Sequence, residues 1–210
     1  MVTSFRKQFD SMLENLQQNY INYNEFCINL LADVKESFYA IKTENPKSFE
    51  DIRKIKSEIE KDCYKILIHQ QPIAHDLVII SVCVKSLYDL TRVGETALNI
   101  ISILEKIDKN QQSNKEVFDT LAHSLDQCIN MLDNYIQAYK TQNKELSLHI
   151  MDIDDKIDEL FDRCKEKIVT LNDNHNLATQ DALDLYMINK YLERCGDHIA
   201  HMAKVLKSTL

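Results

Sequence analysis

Two short stretches decide the fold: Leu90-Thr91-Arg92-Val93-Gly94-Glu95 and Leu192-Glu193-Arg194-Cys195-Gly196-Asp197, which hold the only two glycines of the chain, 102 residues apart. Both lie inside long runs of apolar residues at helical spacing. A glycine in a helix interior costs about 1 kcal/mol relative to alanine. Two of them at matching places point to an internal duplication, each copy with a helix surface that something approaches closely, either a ligand or a neighbouring helix.

Working outward, the apolar pattern repeats with the glycines. Cys83, Ser86, Leu90, Val93, Ala97, Ile100 and Leu104 form one seam, and Leu185, Ile188, Leu192, Cys195, Ile199, Met202 and Leu206 stand in the same register. A second pair of stripes matches as well: Leu16, Tyr20, Tyr23, Cys27, Leu30 and Val34 against Val117, Leu121, Ser124, Cys128, Met131 and Tyr135. Steps of three and four are the spacing of a helical bundle. Two prolines and two glycines in 210 residues leave little turn chemistry for a β or α/β fold. The expectation is an all-α chain of two tandem three-helix bundles, 1–108 and 109–210. Helices are expected near 4–43, from an Asn45-Pro46 start to about 70, from Pro72 to about 108, from the 108–113 junction to about 141, over 146–171 and over 178–207. The short junction favours two bundles packed together.

Charge and cysteine usage bound the function. The net charge is −8, with 13 basic against 16 acidic residues in 1–108 and 12 against 17 in 109–210. Neither half has the basic footprint of a nucleic-acid binder. No apolar run reaches the length of a membrane span, so a cytoplasmic protein without membrane insertion is expected. The six cysteines form no CxxC pair, and Cys27/Cys128 and Cys63/Cys164 are each 101 apart. They read as small apolar core positions.

Chemistry is sparse. Glu193, Asp197 and His201 recur at i, i+4 and i+8, a candidate one-sided metal ligand set, and Asp154 and Asp158 form a second acidic pair one helix earlier. If the two helices are antiparallel neighbours, the four carboxylates repel one another, and a cation or protonation offsets the repulsion. In the first repeat Thr91 and Glu95 stand at the places of Glu193 and Asp197, while Ile52 and Lys56 replace Asp154 and Asp158, so this site is degenerate and a metal is expected in the second half only. Asp89 and Asp51 lie nearby but out of register. His69, His75 and His123 are scattered. The absence of ExxH counts against a ferritin-like di-iron enzyme, and no nucleophile–base pair or nucleotide-binding loop is visible. A non-enzymatic protein is expected, the alternative being a metal store or metal-dependent enzyme that uses the Asp154/Asp158/Glu193/Asp197 face.

Two segments carry a resemblance. Tyr191 to Lys204, YLERCGDHIAHMAK, resembles the LER-x-GDH-x-x-N-I helix of the PhoU family. His69 to Leu77, HQQPIAHDL, resembles that family's QQP-x-A-x-DLR junction. The opening around Arg6 and Phe9, and the Asp-x-x-Ile-Asp run at Asp154 to Asp158, are similar too. The resemblance implies two bundles related by pseudo-two-fold symmetry. It also implies a dimeric cytoplasmic regulator that restrains phosphate uptake and starvation signalling, through an ABC phosphate transporter and a sensor histidine kinase. It further implies iron, zinc or manganese on paired acidic motifs, here Glu193 and Asp197 with Asp154 and Asp158. Thr91, Lys56, Val78 and His201 depart from the family pattern.

Overall fold

The computed structural model describes residues 2–39, 47–69, 72–107 and 115–210. Among these residues there are six helices and no strand: α1 (Val2–Phe38), α2 (Phe49–His69), α3 (Ala74–Leu104), α4 (Lys115–Thr141), α5 (Lys144–Asp173) and α6 (Thr179–Thr209). Every residue of the four stripes named above is buried. The periodicity therefore marks the core faces of α1, α3, α4 and α6, and burial of those faces is what makes such long helices stable. All six cysteines are free and buried, as apolar core positions require.

Local chemistry sets the helix starts. The Asn45-Pro46 start and the 108–113 junction lie outside the described residues. The α2 helix opens instead on a reciprocal cap: Asp51 accepts from the Ser48 backbone N–H at 2.8 Å, and Ser48 Oγ accepts from the Asp51 N–H at 3.3 Å. At α3, Pro72 precedes the helix and the Asp76 carboxylate accepts from the Ile73 N–H at 3.1 Å. Asn143 caps α5 by accepting from the Glu145 N–H at 2.9 Å.

The two bundles share one core. α1 packs on α2, α3 and α4, α3 on α1, α2 and α6, and α6 on α3, α4 and α5. Contacts fix the direction across the repeats: Phe38 meets Phe118, Lys35 pairs with Asp126 and Glu25 with Lys140, so α1 and α4 run antiparallel. Alternating helices within each bundle then make α3 and α6 antiparallel as well. Between the halves, the buried hydroxyls of Tyr20 and Tyr135 share a 2.8 Å hydrogen bond. The repeat is reproduced in detail. Cys27 Sγ donates to the Leu90 carbonyl at 3.6 Å, and Cys128 Sγ to the Leu192 carbonyl at 3.4 Å.

The glycines have a packing role. A Cβ on Gly94 would stand 3.1 Å from Ile52 Cδ1 and 3.4 Å from Cys27 Sγ. One on Gly196 would stand 3.0 Å from Asp154 Oδ1 and 3.1 Å from Ile157 Cδ1. Each glycine lets the middle helix of its bundle lie close against the last. In the second copy the approaching group includes a carboxylate.

Candidate functional site

The α5–α6 pair brings four of the expected residues together. Asp154 and Asp158 lie one turn apart on α5, and Glu193 and Asp197 one turn apart on α6. Burial pushes the Asp154 carboxyl up to about 6, with Asp197 and then Asp158 adding to the effect and Lys204 opposing it. Asp158 is also raised, by burial first and then by Asp197 and Glu193. The close approach at Gly196, where an added Cβ would stand 3.0 Å from Asp154 Oδ1, sets the two acidic pairs along the same α5–α6 contact.

The arrangement is nevertheless not a formed metal centre. Lys190 holds Glu193 Oε1 at 2.6 Å and lies 5.2 Å from the Phe161 ring centroid. The other carboxylate oxygen, Glu193 Oε2, is buried without a hydrogen-bond partner. Among the described residues, no three His, Cys, Asp or Glu side chains are placed to hold one ion. An all-carboxylate donor set suits a hard cation, but as these side chains stand they do not fit one. Glu193 would first have to leave Lys190.

His201 is a correction to the expected ligand set. Eight residues overshoot the direction of Glu193 by about 80° at 3.6 residues per turn, and the ring faces α3. There His201 Nδ1 lies 2.7 Å from Asp89 Oδ2, and His198 Nδ1 lies 2.9 Å from Asp89 Oδ1. Burial raises the Asp89 carboxyl, but the hydrogen bonds from the two imidazoles outweigh it and hold the group below its ordinary value. An ionised carboxylate only accepts, so both rings donate Nδ1–H. Asp89, dismissed on register alone, thus ties the first repeat to the second. The available sequence signal was its asymmetry, since Tyr191 stands at the equivalent place in the second copy.

The first-repeat positions make other bonds. Tyr23 donates to Thr91 Oγ1 at 3.1 Å, and Thr91 donates to the Leu87 carbonyl at 2.7 Å. Glu95 pairs with Arg92 at 2.6 Å and Lys56 with Glu60 at 3.5 Å, while Ile52 is fully buried. His123 is exposed. The side chains of His69 and His75 lie outside the described residues. No described helix is long and apolar enough to cross a membrane.

Comparisons with known proteins agree with this architecture. The chain is 27% identical over 202 residues to the phosphate-specific transport system accessory protein PhoU homolog 1 of Methanothermobacter thermautotrophicus, covering 95% of this chain and 90% of that one. It is 23% identical over 208 residues to the PhoU homolog of Streptococcus pneumoniae, covering 96% and 94%. Two crystal structures share the fold. That of PhoU from Streptococcus pneumoniae has a TM-score of 0.80 at 19% identity, covering 96% of both chains. That of PhoU from Pseudomonas aeruginosa has a TM-score of 0.74 at 20% identity, covering 100% of this chain and 98% of the other. The PhoU domain itself matches residues 24–104 and again 121–206, once in each glycine-marked copy, and the chain belongs to the PhoU family.

Proposed function

We propose that this protein is a cytoplasmic, non-enzymatic regulator of phosphate uptake. It restrains an ABC phosphate transporter and phosphate-starvation signalling by binding the transporter's cytoplasmic subunits and a sensor histidine kinase. The observation that carries this reading is the presence of a PhoU domain in both repeats, in a chain whose relatives are named as phosphate transport accessory proteins. Deleting the gene is expected to derepress phosphate uptake and phosphatase expression in phosphate-rich medium. Unchanged uptake and expression in the deletion strain would remove the basis for this function.

A second reading rests on the α5–α6 acidic face. Burial and then Asp197 raise both Asp154 and Asp158, and Glu193 Oε2 is buried without a hydrogen-bond partner. Both features favour a cation that draws Glu193 away from Lys190, as in a metal store or metal-dependent enzyme. Metal content by mass spectrometry, wild type beside Glu193→Ala/Asp197→Ala, tests it. Near-stoichiometric iron, zinc or manganese lost in the double variant supports this reading; its absence from the wild type after reconstitution rejects it.

A further inference from the structure

The corner where α2 gives way to α3 is apolar on its outside. Tyr64, Leu67 and Ile68 stand at the end of α2, Ile73 and Leu77 at the start of α3, and all five are exposed, Ile68 at 74% and Ile73 at 58%. They belong to one surface. α2 packs on α1 and α3, and Asn19 of α1 donates to Asp62 at 3.4 Å, which puts α1 on the Asp62 flank of α2. Tyr64 and Leu67 lie about 140–160° round the helix from Asp62, on the flank beside α3. The short connection from His69 to Ala74 brings Ile73 and Leu77 alongside them.

A lone exposed apolar residue needs no explanation, but five at one corner constitute a patch. The bundle does not require it. In the second repeat His175 and Thr179 stand at the places of Ile73 and Leu77, 102 residues on. The charge at this corner is also opposite to that of the chain. Among the described residues from Lys61 to Tyr88, the exposed charged side chains are Lys61, Lys65 and Lys85. The two acidic residues of that stretch turn toward the protein. Asp62 accepts from Asn19, and the buried Asp76 accepts from the Ile73 N–H. An apolar tip backed by cations results, although the net charge is −8.

We infer that the α2–α3 corner seats in the interface of a bilayer that carries anionic lipid. Ile68 and Ile73 lead, Tyr64, Leu67 and Leu77 follow, and Lys61 and Lys65 meet the headgroup phosphates. The dimensions agree. At 1.5 Å per residue Lys65 and Lys61 stand about 5 and 10 Å behind Ile68, and interfacial apolar side chains reach about 5–10 Å into the headgroup boundary. The acidic residues elsewhere on the chain do not prevent this, because charges beyond about 8 Å are largely screened at physiological salt. A fluid bilayer conforms to a convex helix corner, and its anionic headgroups complement the lysines. A second copy of this chain is a poor occupant, since it would set one basic corner against another. No span is involved: no described helix is long and apolar enough to cross a membrane.

The test uses the full chain and vesicles of phosphatidylcholine, alone or mixed one-to-one with phosphatidylglycerol, with binding read by co-sedimentation. The chain has no tryptophan, so Ile68→Trp supplies a local fluorescent reporter, and Leu183→Trp, at an exposed position of α6, supplies a control. Every variant is checked for wild-type helicity and melting. The wild type is expected to bind the anionic vesicles about tenfold or more tightly than the neutral ones, and Lys61→Gln/Lys65→Gln to lose most of that preference. Ile68→Ser/Ile73→Ser is expected to weaken binding about tenfold. Emission from Ile68→Trp should shift to the blue on anionic vesicles, and that from Leu183→Trp should not. A wild type that stays in the supernatant would overturn the inference and leave an acidic protein surface as the occupant. Undiminished binding by Ile68→Ser/Ile73→Ser, or an unshifted Ile68→Trp on vesicles that bind the protein, would overturn it by showing that another face meets the lipid. Either result leaves the regulatory reading standing.

Discussion

Asp154 shows what close helix packing does to a single group. The Cβ that Gly196 lacks would stand 3.0 Å from its Oδ1, so the carboxylate leans over bare backbone between two helices. Burial and then the charges of Asp197 and Asp158 lift it from 3.8 to about 6. A raised value means that the folded state keeps a proton which the unfolded chain has already released. The contribution to stability is therefore complete below about pH 4 and is lost as pH rises through about 6. For the metal-free protein in chelator, urea unfolding is expected to show Asp154→Asn less destabilised than wild type by this rise. The difference between pH 4 and pH 7.5 is about 1 kcal/mol, reduced by solvent screening of a half-exposed group. Equal pH slopes in the two proteins would show that Asp154 ionises normally. Neither the glycine nor the aspartate foretells the other in sequence, because they are 42 residues apart and meet only across the α5–α6 contact.

At the scale of elements, the helix faces were legible and the helix ends were not. The stripes on α1, α3, α4 and α6 are buried position for position, since a three-and-four repeat has one way to hide its apolar side. Termini depend on a few local bonds. α2 opens on Ser48 and Asp51, where the proline suggested an earlier start. With glycine absent from the loops, two helix exits use other residues: Gln142 has φ 52° and His175 has φ 58°. The Asn143 N–H then reaches back to the Ala138 carbonyl at 3.1 Å, and the Asn176 N–H to the Leu171 carbonyl at 2.9 Å, the closure of a left-handed helix end. A side chain in that conformation costs about 1–2 kcal/mol. Gln142→Gly is expected to raise stability by about 0.5–1 kcal/mol, since glycine loses more chain entropy but removes the strain. Thermal melting checks this, and a fall in Tm would mean that the Gln142 side chain contributes more than its backbone strain removes.

At the scale of the whole molecule, the two repeats behave as one body because their contact is a core. Buried residues of both halves form one cluster, with the Tyr20–Tyr135 hydrogen bond inside it and Asp89 joining α3 to two histidines of α6. Unfolding is expected to be a single cooperative transition. Circular dichroism and a fluorescent label in each half should give coincident urea midpoints, and separate midpoints would show independent bundles. Asp89→Asn is expected to cost about 1–3 kcal/mol, because the amide keeps one acceptor where two imidazoles donate. The midpoint should fall while the transition stays single. An unchanged midpoint would mean that the two histidines add nothing to the union of the repeats.

By itself, the sequence determined the helical class, the duplication, the buried stripes and the family. Each of these follows from periodicity or from residues read in order along one strand of text. It also determined that the acidic pairs are one turn apart on their own helices, which the 3.6-residue repeat dictates. Only the tertiary structure decided that these pairs confront each other, that Lys190 holds Glu193, and that His201 turns away to Asp89 in the other repeat. Those outcomes depend on the rotation of each helix about its axis and on which helices touch. Packing settles both through contacts between residues far apart in the chain, and such contacts leave no local pattern to read.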